Sequence, residues 1–123
     1  MSADDLQIAK QFLGALATVA NTGQRDGLYQ WLTADVEWVT PMRELRGIDQ
    51  VQEQLTWITE PENFDLEFQI RELTDLGAGR IATEVHELYR QKVTGNVAHS
   101  RDRQIELTIR EGKVARYEMR IVG

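Results

Sequence analysis

The chain has 123 residues, with 20 acidic against 14 basic side chains and a formal net charge of -6. That length suits one domain over residues 1–123 with its own core, and the charges are interspersed rather than gathered into the basic patches that nucleic acid or an anionic membrane surface requires. With no Cys, disulfides, thiol nucleophiles and thiolate metal sites are excluded.

The N-terminal segment MSADDLQIAK lacks the basic and apolar regions of a signal peptide, and no stretch approaches the ~18 apolar residues of a membrane span. The expectation is therefore a cytoplasmic protein whose partner is a small molecule or another protein. Ser2 and Asp5 have the spacing of a capping box, and Leu6, Ala9, Leu13, Leu16 and Ala20 recur at helical spacing, which predicts a first helix with one buried face. Asn21, Thr22 and Gly23 break it. A short second helix carrying Leu28, Trp31 and Leu32 precedes a strand around Val36 to Val39, which Pro41 closes. Gly47 opens a third helix, with Asp49 as its N-cap and Val51, Leu55 and Ile58 as its apolar stripe, and Pro61 ends it.

From Asn63 onward the period changes to two. Phe64, Leu66, Phe68 and Ile70 alternate with Asp65, Glu67, Gln69 and Arg71, so this strand is half-buried. Ile81 to Lys92, Ala98 to Arg110 and Lys113 to Val122 read as three more strands, joined by turns at Gly77 and Gly79, Gly95 and Gly112. Helices first and an antiparallel meander after predict an α+β fold, with three N-terminal helices covering the apolar face of a curved sheet and enclosing a pocket. On the last strand Ala115, Tyr117, Met119 and Ile121 face inward, opposite Arg116, Glu118 and Arg120. On the strand before it Ile105, Leu107 and Ile109 oppose Gln104, Glu106, Thr108 and Arg110. The outer face is expected to be a lattice of mixed charges with opposite signs paired across strands.

Four segments carry a family resemblance: QFLGAL in the first helix, ADVEWVTP at the strand and corner, RGIDQVQEQL at the third helix, and REGKV before the last strand. Through them the chain resembles the nuclear transport factor 2-like superfamily and, within it, the polyketide cyclase-like and ketosteroid isomerase-like proteins. The resemblance implies a cone-shaped fold that hosts isomerases, cyclases, epoxide hydrolases and non-catalytic binding proteins. It also sets absences on record. The isomerase-like branch has an oxyanion-stabilising Tyr where this chain has Phe12, a general base Asp where it has Thr40, and a protonated Asp near Ile105. The final-strand Asp of the cyclase-like and epoxide hydrolase-like branches falls at Met119. In the other direction, Glu87 falls where epoxide hydrolase-like relatives place a catalytic Asp, while Val85 stands in place of their partner Arg.

Alternation puts Glu87 on the inner face with Thr83, Val85 and Tyr89. A carboxylate facing an apolar hollow is costly unless hydrogen-bonded or protonated, the setting in which carboxyl groups serve acid–base work. Glu87 is thus either the general acid or base of a cofactor-independent enzyme or a packing residue bonded to Tyr117 or a helix. Tyr117, Tyr89 and Thr40 are the candidates to orient a ligand or stabilise charge, and Trp38, Phe12 and Met119 the candidates to line its pocket, with core packing as the other reading for Trp38. His86 falls on the outer face unless a β-bulge shifts the register. His99 lies near a strand end, and the two His, lacking a clear carboxylate partner, form no metal site. Arg43, Glu44 and Arg46 read as solvated loop charges at the pocket mouth. Three functions remain open: an enzyme of cyclase, isomerase or epoxide hydrolase type acting on an apolar small molecule, a binding protein for such a molecule, or a domain that pairs as a homodimer through its outer face.

Overall fold

The computed structural model describes residues 2–22, 26–58 and 64–122; the side chains of 2–3, 20–22, 26, 54–58, 64, 66, 68 and 122 lie outside that description. In chain order the elements are α1 (Ser2–Thr22), α2 (Asp26–Tyr29), β1 (Leu32–Val39), β2 (Glu44–Arg46), α3 (Ile48–Ile58), β3 (Phe64–Gly77), β4 (Arg80–Gln91), β5 (Val97–Arg110) and β6 (Lys113–Val122). The strands form one sheet in the order β2-β1-β6-β5-β4-β3. The meander is antiparallel as expected, but β1 lies parallel to β6, so the sheet is mixed. The connection that brings β1 to the far side of β6 spans α3 and three long strands, which is why local periodicity could not reveal its direction.

The helices bury the face their spacing assigned. Ala9, Phe12, Leu13, Leu16 and Val19 of α1 join Leu28, Val51 and the inward residues of the sheet in one core. Burial of this kind contributes ~1.5–3 kcal/mol per large apolar side chain, before entropy is counted. The expected roles of the Ser2 side chain, Ala20, Asn21, Thr22, Gly23, Leu55, Ile58, Pro61, Asn63, Phe64, Leu66 and Phe68 lie outside the described residues or side chains. Among the described residues, no helix is long and apolar enough to cross a membrane.

Five details depart from the sequence reading. The second helix ends at Tyr29, so Trp31, expected on it, falls in the turn that follows, and Leu32 opens β1. Asp49 is not the N-cap of α3: Gly47 takes that place, its carbonyl accepting from Val51 N–H at 3.3 Å, while the Gln50 side chain accepts from Arg46 N–H at 2.9 Å. Glu44–Arg46, read as loop, is a short edge strand, because Trp38 and Val39 pair with Leu45 and Glu44 across the corner. On β6 the inward place at the start of the strand belongs to Val114, fully buried, and not to Ala115. The cause is a register shift: Ile109 pairs with Val114 and Thr108 with Arg116, which leaves Ala115 as the extra residue of a β-bulge. Finally, the outer face pairs opposite signs directly in part, Glu37 with Arg116 and Asp65 with Arg90, but not throughout. Glu72 faces Glu84 and Glu106 faces Glu118, and the neutralising arginines approach from neighbouring positions, Arg80 to Glu106 at 3.0 Å and Arg120 to Glu118 at 3.2 Å.

The β3–β4 turn leaves no room for a side chain. Gly79 has φ +79°, and a Cβ there would sit 2.4 Å from the Ile109 carbonyl oxygen, because the Gly79 carbonyl accepts from Ile109 N–H at 2.7 Å. Gly79→Ala is expected to destabilise the fold by ~2–4 kcal/mol in chemical denaturation, the sum of left-handed strain and a displaced strand. A cost under about 0.5 kcal/mol would contradict this packing.

Candidate functional site

The middle of β4 and β5 supplies the site. Along β4 the inward positions Ile81, Thr83, Val85 and Glu87 are all buried, so the expected register holds and Glu87 faces the core at 4 % exposure. Its carboxylate does not bond Tyr117. It accepts from Arg103 Nε at 2.5 Å. Arg103 stands directly opposite Val85 in the β4–β5 register. Sequence reasoning overlooked it, although Arg103 shares parity with Ile105, Leu107 and Ile109 and is inward by the same alternation.

Arg103 gathers the neighbouring groups. Its Nη1 lies 3.0 Å from Met119 Sδ, and its charge lies close enough to act on the Tyr89 hydroxyl. Tyr117 is buried and lies near both Glu87 and Arg103. It stacks on Trp38 at 4.1 Å between ring centroids, as the direct Trp38–Tyr117 pairing of β1 and β6 dictates, and Phe12 meets both rings at 6.1 and 5.9 Å. Five of the expected site residues, Glu87, Tyr117, Tyr89, Trp38 and Met119, are thus linked through these contacts, with Phe12 packed on the aromatic pair. Thr40 is differently engaged. Its hydroxyl accepts from Arg43 N–H at 3.2 Å and its own N–H donates to the Arg43 carbonyl at 2.8 Å, tying it into the corner.

Burial pushes both phenols above their ordinary range; Glu87 acts in the same direction, and Arg103 opposes it. Each tyrosine therefore stays a neutral hydrogen-bonding phenol at physiological pH. Because the folded value of Tyr117 is raised, its contribution to stability is complete below about pH 10, where the unfolded phenol titrates, and declines as pH rises beyond that. Between about pH 10 and 11.5, stability of the native chain is expected to fall more steeply than that of Tyr117→Phe, by ~1.4 kcal/mol per pH unit. Equal slopes in denaturant titrations would mean that Tyr117 is not buried as a neutral phenol.

His86 lies on the outer face as expected, but it does have a carboxylate partner: its Nδ1 is 2.6 Å from Asp102 Oδ1, and Arg71 lies 3.4 Å from the same oxygen. The His86 hydrogen bond, with a weaker contribution from the Arg71 charge, holds the Asp102 carboxyl below its usual range against a desolvation effect that ranks between the two. His99 lies on the inner side, its ring 5.8 Å from Tyr89. Among the described residues no group of His, Asp and Glu is arranged to hold a metal ion. A cavity of about 310 Å³ opens beside Glu84, Gln104, Glu106, Glu118 and Arg120, on the face opposite Glu87.

The chain matches no family model and no curated protein. Solved structures do match. An NTF2-like protein from Anabaena variabilis superposes with a TM-score of 0.80 at 16% identity, covering 98% of this chain and 90% of that one. A putative isomerase from Rhodopseudomonas palustris gives 0.74 at 16% identity, with 93% and 88% covered. TerC, co-crystallised with polyporic acid, gives 0.72 at 20% identity, with 97% and 92% covered. The fold is the one these NTF2-like structures share: an open, curved sheet with its helices toward the N-terminus. At these identities the likeness defines the fold and leaves the chemistry to the residues of this chain.

Proposed function

We propose that the chain is a small cofactor-independent enzyme of the cyclase, isomerase or epoxide hydrolase type, acting on an apolar small molecule at the inner face of the sheet. The observation that carries this reading is the buried Glu87 carboxylate hydrogen-bonded to Arg103 within a largely apolar interior. A buried ion pair is a poor device for stability alone, since well-packed apolar residues of similar volume do as well or better. Proton transfer gives it a use. Glu87 takes a proton from a substrate carbon or from an attacking water, and Arg103 with the neutral hydroxyls of Tyr89 and Tyr117 meets the negative charge that develops on oxygen. Trp38, Phe12 and Met119 supply the apolar wall. Two structural neighbours support the class: one is described as a putative isomerase, and TerC was crystallised with polyporic acid.

A second reading, a non-catalytic binding protein for a hydrophobic small molecule, is favoured by one observation. Thr40, at the position of a family base, is a hydroxyl already bonded to the corner backbone. The experiment that separates the two incubates the chain with steroid, terpene, polyketide and epoxide panels, ranks them by thermal shift, and analyses the recovered compounds by mass spectrometry. Conversion supports the enzyme. Retention of an unchanged compound supports the binding protein, and a panel in which nothing raises the melting temperature counts against both.

A further inference from the structure

Arg101 is the inward residue next to the Glu87–Arg103 pair that the proposed chemistry leaves unused. It stands opposite Glu87 in the strand register, two residues before Arg103, and so on the same face. Its guanidinium does not share the carboxylate. It donates from Nε at 2.9 Å and from Nη2 at 2.6 Å to His99 Nε2, and among the described residues it pairs with no carboxylate. His99 in turn packs its ring against Tyr89, opposite which it sits in the register. The two aromatic residues and the fixed guanidinium therefore make a half-exposed rim beside the buried pair.

Charge counting decides what this rim suits. On the inner face of β4 and β5, Arg103 is neutralised by Glu87, whereas Arg101 bonds an imidazole nitrogen and, among the described residues, no carboxylate. One positive charge is left over, beside a face otherwise built of Ile105, Leu107, Val85 and Ile81. With Nε and one Nη2 proton spent on His99, the Nη1 amino group and the other Nη2 proton still point along one edge of a planar fork, the geometry that takes a carboxylate or enolate through two parallel hydrogen bonds. Lys in the same place would offer a point charge and no such fork.

We infer that Arg101 is a specificity residue: the molecule bound at the inner face carries an anionic oxygen group, a carboxylate or an acidic enol, which Arg101 holds at the rim while the apolar body lies toward Glu87, Tyr117 and Trp38. This rests on the inner-face reading above and names the class of its ligand. Such a contact also orients the substrate, since one end is fixed by two hydrogen bonds and the other is placed against the proton-transferring carboxylate.

The test uses the full chain and a panel of aryl, terpenoid and steroid carboxylic acids, each paired with its primary amide, with Kd measured by calorimetry at low salt. In the native protein the acids are expected to bind roughly tenfold to a hundredfold more tightly than their amides. In Arg101→Gln the ratio of the two affinities should collapse to about one, and Arg101→Lys should recover only part of it. Arg101 is on a partly exposed rim, so the variants fold, as melting curves would verify. Amides bound as tightly as acids in the native chain would overturn the assignment while leaving the inner-face site intact. An acid preference that survives in Arg101→Gln would do the same, placing the anion elsewhere. Failure of every acid and every amide to bind would overturn this assignment together with the reading on which it rests.

Discussion

Glu87→Gln is expected to lower turnover of any converted compound by ~10²–10⁴-fold while changing its binding by much less, the loss typical of removing a positioned proton-transfer group. Gln keeps the size of Glu and an oxygen that can still accept from Arg103 Nε, now 2.5 Å from the carboxylate, so the side chain can hold its place. What it cannot do is take a proton. Glu87→Asp, which keeps the charge but draws it back by one methylene, is expected to fall between the two, and it separates lost chemistry from lost packing. Turnover unchanged in Glu87→Gln would remove Glu87 from the mechanism and leave the ion pair as architecture.

Arg103→Met should be the most damaging single change to the fold, costing ~3–5 kcal/mol in chemical denaturation. Met matches the length of the Arg stem, so little volume is lost; what is lost is the only cation bonded to a carboxylate buried to 4 % exposure, among the described residues. The double change Glu87→Leu with Arg103→Met removes both charges, and its stability is expected to return to within about 1 kcal/mol of the native protein or to exceed it. A double variant as unstable as Arg103→Met would show that the pair is held by more than its own two charges. A stable but inactive double variant would mark the pair as kept for function.

How much of this was readable from the residues differs between fold and site. Alternation from Ile81 to Tyr89 put Glu87 on the inner face, and the structure places it there. The same parity applied to β5 assigns Arg101 and Arg103 inward as well. What parity cannot provide is which β5 residue stands beside Glu87. That depends on the β4–β5 turn, where Gln91 N–H donates to the Asn96 carbonyl, and on the register shift beside Tyr89, and neither has a sequence signal stronger than Gly95. Likewise Ala115 looked inward because the bulge that skips it is set by pairing with β5, a non-local fact. The parallel contact of β1 with β6 belongs to the same kind: it stacks Trp38 on Tyr117, and no local pattern encodes it.

Every role assigned above depends on a small molecule binding on the inner face, against the Glu87–Arg103 pair. The most direct measurement is a crystal structure of the chain with whichever panel compound raises its melting temperature most. A ligand oxygen is expected within hydrogen-bonding distance of Glu87, Arg103 or Tyr117, with the apolar body against Trp38. A ligand seated instead in the outer-face cavity beside Glu84, Glu106 and Arg120, or an inner face filled solidly by side chains, would contradict it.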